Sequence, residues 1–318
     1  MNSLFVCANG PSFAKIDYKR LEPCVKVFRL NNFFFENKYY AGKKVDYYLT
    51  DYGFLHGQYF NIFKLNETKE YYIDSIYVTS ENSEQLNSYS GVIHANPILM
   101  ECAGFSKMFS FYRKYYDQYP SGGILCILLG YLLGFRRIYI AGFDLYSNPE
   151  NIYPWNIETP EFDRRHPRDI RANTLNVINS YHPRDIQIKF IDFFQSLPDL
   201  KLFSVCKSSP INEFVDLAPE NGEAPFFEEE KSVDAIKDWL PLPQLEHLNV
   251  FEESISIENS SGKQEITQPI ENDLRTPFYH LQTNFFNYQR IRLLSHITLG
   301  KMKEHYIRKY KRYKISYL

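Results

Sequence analysis

Ser3-Leu4-Phe5-Val6-Cys7-Ala8-Asn9-Gly10-Pro11-Ser12 decides how the chain is read. A short apolar run stops abruptly at Asn-Gly-Pro-Ser, and a helix-like stretch comes next. The run is too short for a helix of a soluble protein and too continuous for a half-exposed strand, so it reads as a buried strand of a parallel sheet. Gly10 lets the backbone bend tightly and approach a ligand with no Cβ in the way. Pro11 suits the first helical position or a tight turn, and Ser12 can cap the helix-like stretch after it. Free backbone N–H groups at such a turn suit a phosphate. An ordinary strand-to-helix turn uses the same residues, so the reading needs support from the rest of the chain.

That support comes from the strands downstream. Residues 25–30 read as a second strand ending in Asn31-Asn32, and residues 45–50 as a third ending at Asp51. Residues 56–65 read as a helix and 75–79 as a fourth strand. Pro120-Ser121-Gly122-Gly123 opens an apolar helix that Arg136-Arg137 closes, and residues 138–143 form a strand ending in Asp144-Leu145-Tyr146. Strands alternating with helices predict a parallel α/β sheet of Rossmann-like type, with its ligand beyond the carboxyl ends of the strands. The residues at those ends, Asn9, Asn31, Asn32, Asp51 and Asp144, are small polar groups rather than hydrophobic plugs.

From 147 to 181 the pattern breaks, and the sequence His-Pro-Arg-Asp-Ile occurs twice, at His166 and His182. A loop this long inside a compact domain is a functional lid or is disordered. Order resumes with a helix over 186–197, whose Ile188, Ile191 and Phe194 recur at helical spacing, then a strand over 201–206 and a short helix to Leu217-Ala218-Pro219. Residues 220 to about 269 are acidic with weak periodicity, as in a linker or loosely folded extension. The tail, 301–318, interleaves Lys and Arg with Tyr306, Tyr310, Tyr313 and Tyr317. That composition suits an anionic membrane surface or a nucleic acid. With no nucleic-acid motif upstream the membrane is preferred, and a plain solvated tail fits as well.

The 318 residues can bury one large core or two smaller ones, and a net charge of −2 selects neither nucleic acid nor an acidic partner. With 26 Tyr, some are exposed to stack on sugars or donate hydrogen bonds. There are five cysteines without a C-x-x-C pair, and most of them sit in apolar surroundings and read as buried thiols of a reducing compartment. Met1-Asn2-Ser3 carries no basic leader, and the uncharged run 122–135 is too short to span a bilayer as a helix, so a cytoplasmic protein is expected. P-loop, G-x-S-x-G and H-E-x-x-H signatures are lacking. So is the D-x-D pair with which many nucleotide-sugar transferases hold a metal on a diphosphate. A transferase of this composition suits a donor that releases a nucleoside monophosphate.

The run 8–12 is similar to the opening of the bacterial sialyltransferases of glycosyltransferase family 42. The matches continue in order through residues 27–40, Gly42-Lys43-Lys44, residues 138–146 and Leu217-Ala218-Pro219, so the resemblance covers roughly 4–219. It implies one Rossmann-like GT-A variant catalytic domain over 1–219 with a lid at about 147–183, followed by an extension over 220–318. It also implies transfer of sialic acid from CMP-sialic acid to a terminal galactose or sialic acid of a surface glycolipid, with inversion and no metal. By the resemblance, Asn9, Gly10 and Ser12 hold the CMP, and Asn31 and Asn32 the donor sugar and phosphate. Ser121, Gly122, Gly123, Gly142 and Asp144 complete the donor site. Tyr146 and Tyr153 donate to the departing phosphate. His182 is the general base, preferred to His166 because an amphipathic helix follows it. A peripheral location at the inner face of the cytoplasmic membrane and assembly as a homotetramer are carried by the resemblance as well.

Two positions depart from the pattern. Asp51 stands where an asparagine is expected near the donor carboxylate, and an ionised Asp there faces a like charge. Pro120-Ser121-Gly122-Gly123 replaces a Thr-Ser-Gly turn, with Gly122 at the serine. These keep two alternatives open: a transferase of another CMP-nonulosonic acid, and a catalytically altered CMP-binding protein. A nicotinamide oxidoreductase on the same fold is disfavoured, because Asn9-Gly10-Pro11-Ser12 lacks G-x-G-x-x-G.

Overall fold

The computed structural model describes residues 3–80, 83–87, 89–147, 182–222, 229–232 and 235. Among them one sheet of seven strands forms: β1 (Ser3–Cys7), β2 (Lys26–Leu30), β3 (Lys44–Asp51), β4 (Tyr72–Thr79), β5 (Val92–His94), β6 (Arg137–Ala141) and β7 (Lys201–Ser204). Every pairing is parallel, in the order β5-β4-β3-β2-β1-β6-β7. The chain steps outward from β1 to β5 and then returns to lay β6 along the other side of β1. The switch point of the sheet is therefore the β1/β6 junction, where open α/β sheets bind ligands.

All five residues of β1 are buried. Phe5 and Cys7 point into one core, Leu4 and Val6 into the other. Burial on both faces explains why the run is continuously apolar rather than alternating. One face is covered by α2 (Ala95–Met100), α3 (Ala103–Tyr116), α4 (Gly122–Leu132) and α5 (Arg184–Gln195), through Leu99, Phe105, Ile127 and Phe190. The other is covered by α1 (Tyr52–Glu67) and by aromatic turns that bring Phe13, Phe33, Tyr48 and Tyr71 together.

The strands expected from sequence are present, and α1, α4 and α5 occupy the expected helices. The helix expected after the first turn is absent: two 3-10 turns, Pro11–Lys15 and Tyr18–Arg20, join β1 to β2. Between them Ile16 is extended and the Asp17 N–H donates to Val205 O at 2.8 Å, which ends helical winding. Gly10, not Ser12, occupies the N-cap, and no side chain caps the turn. β5, α2 and α3 arise in a stretch for which no element was expected. The lid and the basic tail lie outside the described residues.

Beneath the aromatic face lies a buried ion pair. Arg29 and Glu36 are both fully enclosed, with Nη2 to Oε2 at 2.7 Å and Nη1 to Oε1 at 3.3 Å. The guanidinium is sandwiched between the rings of Phe13 (4.7 Å) and Phe33 (4.6 Å). Tyr71, whose hydroxyl burial and Glu36 keep protonated, donates to Glu36 Oε1 at 2.8 Å. Chain beyond the expected boundary at Pro219 packs on the same unit. Tyr39 N–H donates to Glu229 O at 2.9 Å, and Lys231 buries its ammonium against Phe34 O and, at 3.2 Å, the Tyr71 hydroxyl. Burial lowers the Lys231 pKa to about 8.

Removing one charge of a fully buried pair leaves the other uncompensated, at a cost of about 3–5 kcal/mol. Glu36→Gln is expected to lower the unfolding free energy by that amount in denaturant titrations, with far less effect from Lys64→Gln, whose pair with Glu67 is exposed.

Candidate active site

The carboxyl ends of β2, β3 and β4 open into a cleft of about 490 Å³. Leu30 and Asn31, Leu49 to Asp51, and Thr79 with Ser80 form its floor. Asn96, Phe109 and Arg113 contribute from α2 and α3, Gly122 from the start of α4, and His182 from the residue pair before α5. Of the site residues expected from sequence, Asn31, Asp51, Gly122 and His182 thus share one cavity.

His182 is half-buried, and its Nδ1 lies 2.9 Å from Tyr119 O. That bond sets Nδ1–H as donor and leaves Nε2 with its lone pair. Burial lowers the His182 pKa below the usual histidine value, partly opposed by the Tyr119 carbonyl and by the negative charge of Asp51. The ring is therefore neutral at neutral pH, as a proton acceptor must be. Tyr146 lies over it, with ring centroids 6.4 Å apart and planes 18° from parallel.

Tyr146 and Leu145 both adopt left-handed backbone conformations, with φ of 54° and 51°. Two consecutive non-glycine residues there carry strain of a kind that persists only where surrounding contacts impose it. Ser147 does so in part, its N–H and Oγ–H both donating to Asp144 O at 2.9 and 2.7 Å. Tyr153 and His166 lie outside the described residues.

The first turn and the turn after β6 are locked together at the switch point. Gly10 N–H donates to Gly142 O at 3.0 Å, and Ser12 N–H to Asp144 Oδ2 at 2.7 Å. Burial raises the Asp144 pKa, while Ser12 and Ser209 oppose the shift by hydrogen bonding to the carboxylate. Both contacts need glycine. A Cβ on Gly142, at φ +73°, would lie 2.2 Å from Ala8 O, and one on Gly10 would lie 2.3 Å from Asp144 Oδ2. Ser12 and Asp144 therefore brace the two turns against each other. Asn9 bridges the two regions: its Nδ2 donates to Leu30 O at 3.1 Å, and its buried Oδ1 has no partner among the described residues.

The amino end of α4 faces the cleft, where Gly122 is close-packed against Leu30 Cδ1 and approaches the amide of Asn31. Glycine at 122 and 123 lets this helix end approach β2 and Phe143, with its first N–H groups and positive dipole end directed at the cleft. Ser121 supplies its N-cap without a side-chain cap bond; its N–H donates to Gln187 Oε1 at 2.7 Å. Asn32 is buried just beyond Asn31, whose left-handed backbone (φ 47°) is held by Tyr48 Oη–H donating to its carbonyl at 3.1 Å.

Gln187, Tyr119, Arg113, Asn96 and Ser80 were not singled out from sequence. Gln187 had a signal: it lies on the apolar stripe of α5 with Phe190, Ile191 and Phe194, where a buried amide has to find partners. Those partners are Ser121 N–H and Tyr119 O, so Gln187 fixes both the start of α4 and the carbonyl that orients His182. Among the described residues no group of three or more His, Cys, Asp or Glu is placed to hold a metal.

An all-parallel sheet of this order, with its cleft at this end, is that of the GT-A-like sialyltransferases, and the protein is a glycosyltransferase. It belongs to the alpha-2,3-sialyltransferase (CST-I) family, whose model matches residues 2–277. Among solved structures, a variant of the sialyltransferase CST-II in complex with CMP is 25% identical with a TM-score of 0.65, over 73% of this chain and 92% of that one. The monofunctional alpha-2,3-sialyltransferase Cst-I from Campylobacter jejuni is 22% identical with a TM-score of 0.70, over 82% and 96%. CstII from Campylobacter jejuni, in complex with the substrate analogue CMP-3FNeuAc, is 23% identical with a TM-score of 0.66, over 79% and 99%. No curated protein sequence matches the chain.

Gln187→Leu preserves the helix face but strips Ser121 N–H of its partner and removes one of the two donors on Tyr119 O. It is expected to reduce kcat at least tenfold while the melting temperature moves by only a few degrees, read from steady-state kinetics and thermal unfolding.

Proposed function

We propose that the protein transfers sialic acid from CMP-sialic acid to a terminal galactose or sialic acid of an oligosaccharide or glycolipid, with inversion and without a metal. The observation that carries this reading is His182: a neutral imidazole, oriented through Nδ1 by Tyr119 O, with Nε2 left to take a proton at the cleft. A relative crystallised with CMP supports the donor nucleotide, and another with a trisaccharide acceptor and CMP supports the acceptor class.

In this mechanism Nε2 takes the proton of the acceptor hydroxyl as its oxygen attacks the anomeric carbon from the face opposite CMP. The bond to the phosphate oxygen breaks and CMP leaves with the electron pair. The charge growing on that phosphate is met by the N–H groups opening α4 and by the Tyr146 hydroxyl, with Tyr153 of the lid in the same role. Asn9 offers its unpartnered Oδ1 to a donor hydroxyl or amine. The basic, aromatic tail suits an anionic membrane surface, which would place the enzyme at the inner face of the cytoplasmic membrane beside a lipid-linked acceptor. Assembly as a homotetramer belongs to the same reading. Asp51 in the cleft favours one second reading, a catalytically altered CMP-binding protein, because an ionised Asp there opposes the donor carboxylate.

The test is CMP release from CMP-sialic acid in EDTA, with and without lactose. Wild type should turn over, and His182→Ala should lose two or more orders of magnitude. A neutral base with a depressed pKa works at lower pH, so the acid limb of kcat/KM should fall below about 6.5. Asp51→Asn removes a charge that favours protonation, so it should move that limb lower still. Turnover unaffected by His182→Ala would remove His182 as the base.

A further inference from the structure

We infer that Arg113 binds the carboxylate of the sugar donor and offsets Asp51 in the cleft. The inference rests on the sialyl-donor reading above and adds the residue that makes such a donor tolerable.

The charges around the cleft set the problem. Asp51 is exposed at the end of β3, with Thr79 Oγ1 donating to its Oδ2 at 3.1 Å. Burial keeps His182 neutral at neutral pH. Among the described residues lining the cleft, Arg113 is the one permanently charged cation. Without it the cavity would present a carboxylate to a donor that itself carries two anionic groups, a phosphodiester and a carboxylate. The amino end of α4 can serve one of them. The other needs a cation, or the like charges in the cavity oppose binding.

Position selects the carboxylate for Arg113. In a sialyl donor the carboxylate is bonded to the anomeric carbon, the atom under attack, so the group that holds it must lie beside the base. Arg113 stands in the last turn of α3 with its guanidinium over the Tyr119 ring, 6.0 Å from the centroid. Tyr119 is the residue whose carbonyl orients His182, and its hydroxyl donates to Asp117 Oδ1 at 3.0 Å. Arg113, Tyr119 and His182 line the same cleft, with Tyr119 in contact with both the cation and the imidazole. A planar guanidinium also offers two parallel N–H donors to a carboxylate, which an ammonium cannot.

Calorimetric titration of wild type, Arg113→Met, Arg113→Lys and Asp51→Asn with CMP and with CMP-3FNeuAc tests the assignment, with thermal melting as the check on folding. The expected pattern is a tenfold or greater loss of CMP-3FNeuAc affinity in Arg113→Met while CMP affinity stays within twofold. Arg113→Lys should fall between, and Asp51→Asn should bind the sialyl analogue more tightly than wild type. Equal weakening toward both ligands, or none toward either, would overturn the role of Arg113 alone. Wild type that binds CMP but rejects CMP-3FNeuAc would overturn the sialyl-donor reading and this assignment with it.

Discussion

The enclosed pair of Arg29 and Glu36 is the constraint on which the site side of the sheet depends. A guanidinium taken fully out of water is tolerable only when its charge is matched and its faces are covered. Here Glu36 supplies the charge and the rings of Phe13 and Phe33 cover the faces. The pair spans the segment from β2 to the end of the aromatic turn at Phe33–Phe35, and Asn31 and Asn32 lie between the two charges in sequence. Phe13 belongs to the turn that comes after Gly10, so the same stack ties the first turn to the second. The polar residues at the mouth thus stand on a dry, charged foundation.

On the opposite side, α4 is held at its amino end. Gln187 takes the Ser121 N–H and donates to Tyr119 O, while His182 uses that same carbonyl. One carbonyl therefore registers the His182 imidazole against the start of α4. The arrangement needs no charged residue on α4, whose apolar body can pack deep against β1 and β6.

The sheet was legible because its strands are buried on both faces and punctuated by small polar residues. Phe5 and Leu4 point oppositely yet both are enclosed, which only a covered parallel strand requires. The mouth was legible for a related reason: Asn31, Asp51 and Gly122 occur where a buried strand or helix must stop. Distant contacts set the features that stayed hidden. The 3-10 path after Ser12 comes from Asp17 pairing with Val205, and the inward use of Asp144 from the approach of Gly10. α3 carried a readable stripe in Phe105, Phe109 and Tyr112, but its aromatics were hard to tell from a strand or loop among so many others. The meaning of Arg29 and Glu36 was invisible because charge in a sequence reads as surface.

Lys231 gives the fold a direction in time. Its ammonium reaches Phe34 O across 197 residues of chain, and the Tyr71 hydroxyl that it also touches is bonded to Glu36. During synthesis the strands from β1 to β4 emerge and can pair long before this amine exists. The pocket beneath the aromatic turn then waits, with a carbonyl and a phenol facing it, until the chain beyond β7 leaves the ribosome. The short segment that carries Lys231 is thus set into the framework that bears Asn31 and Asn32 only after the strands of that framework have been made.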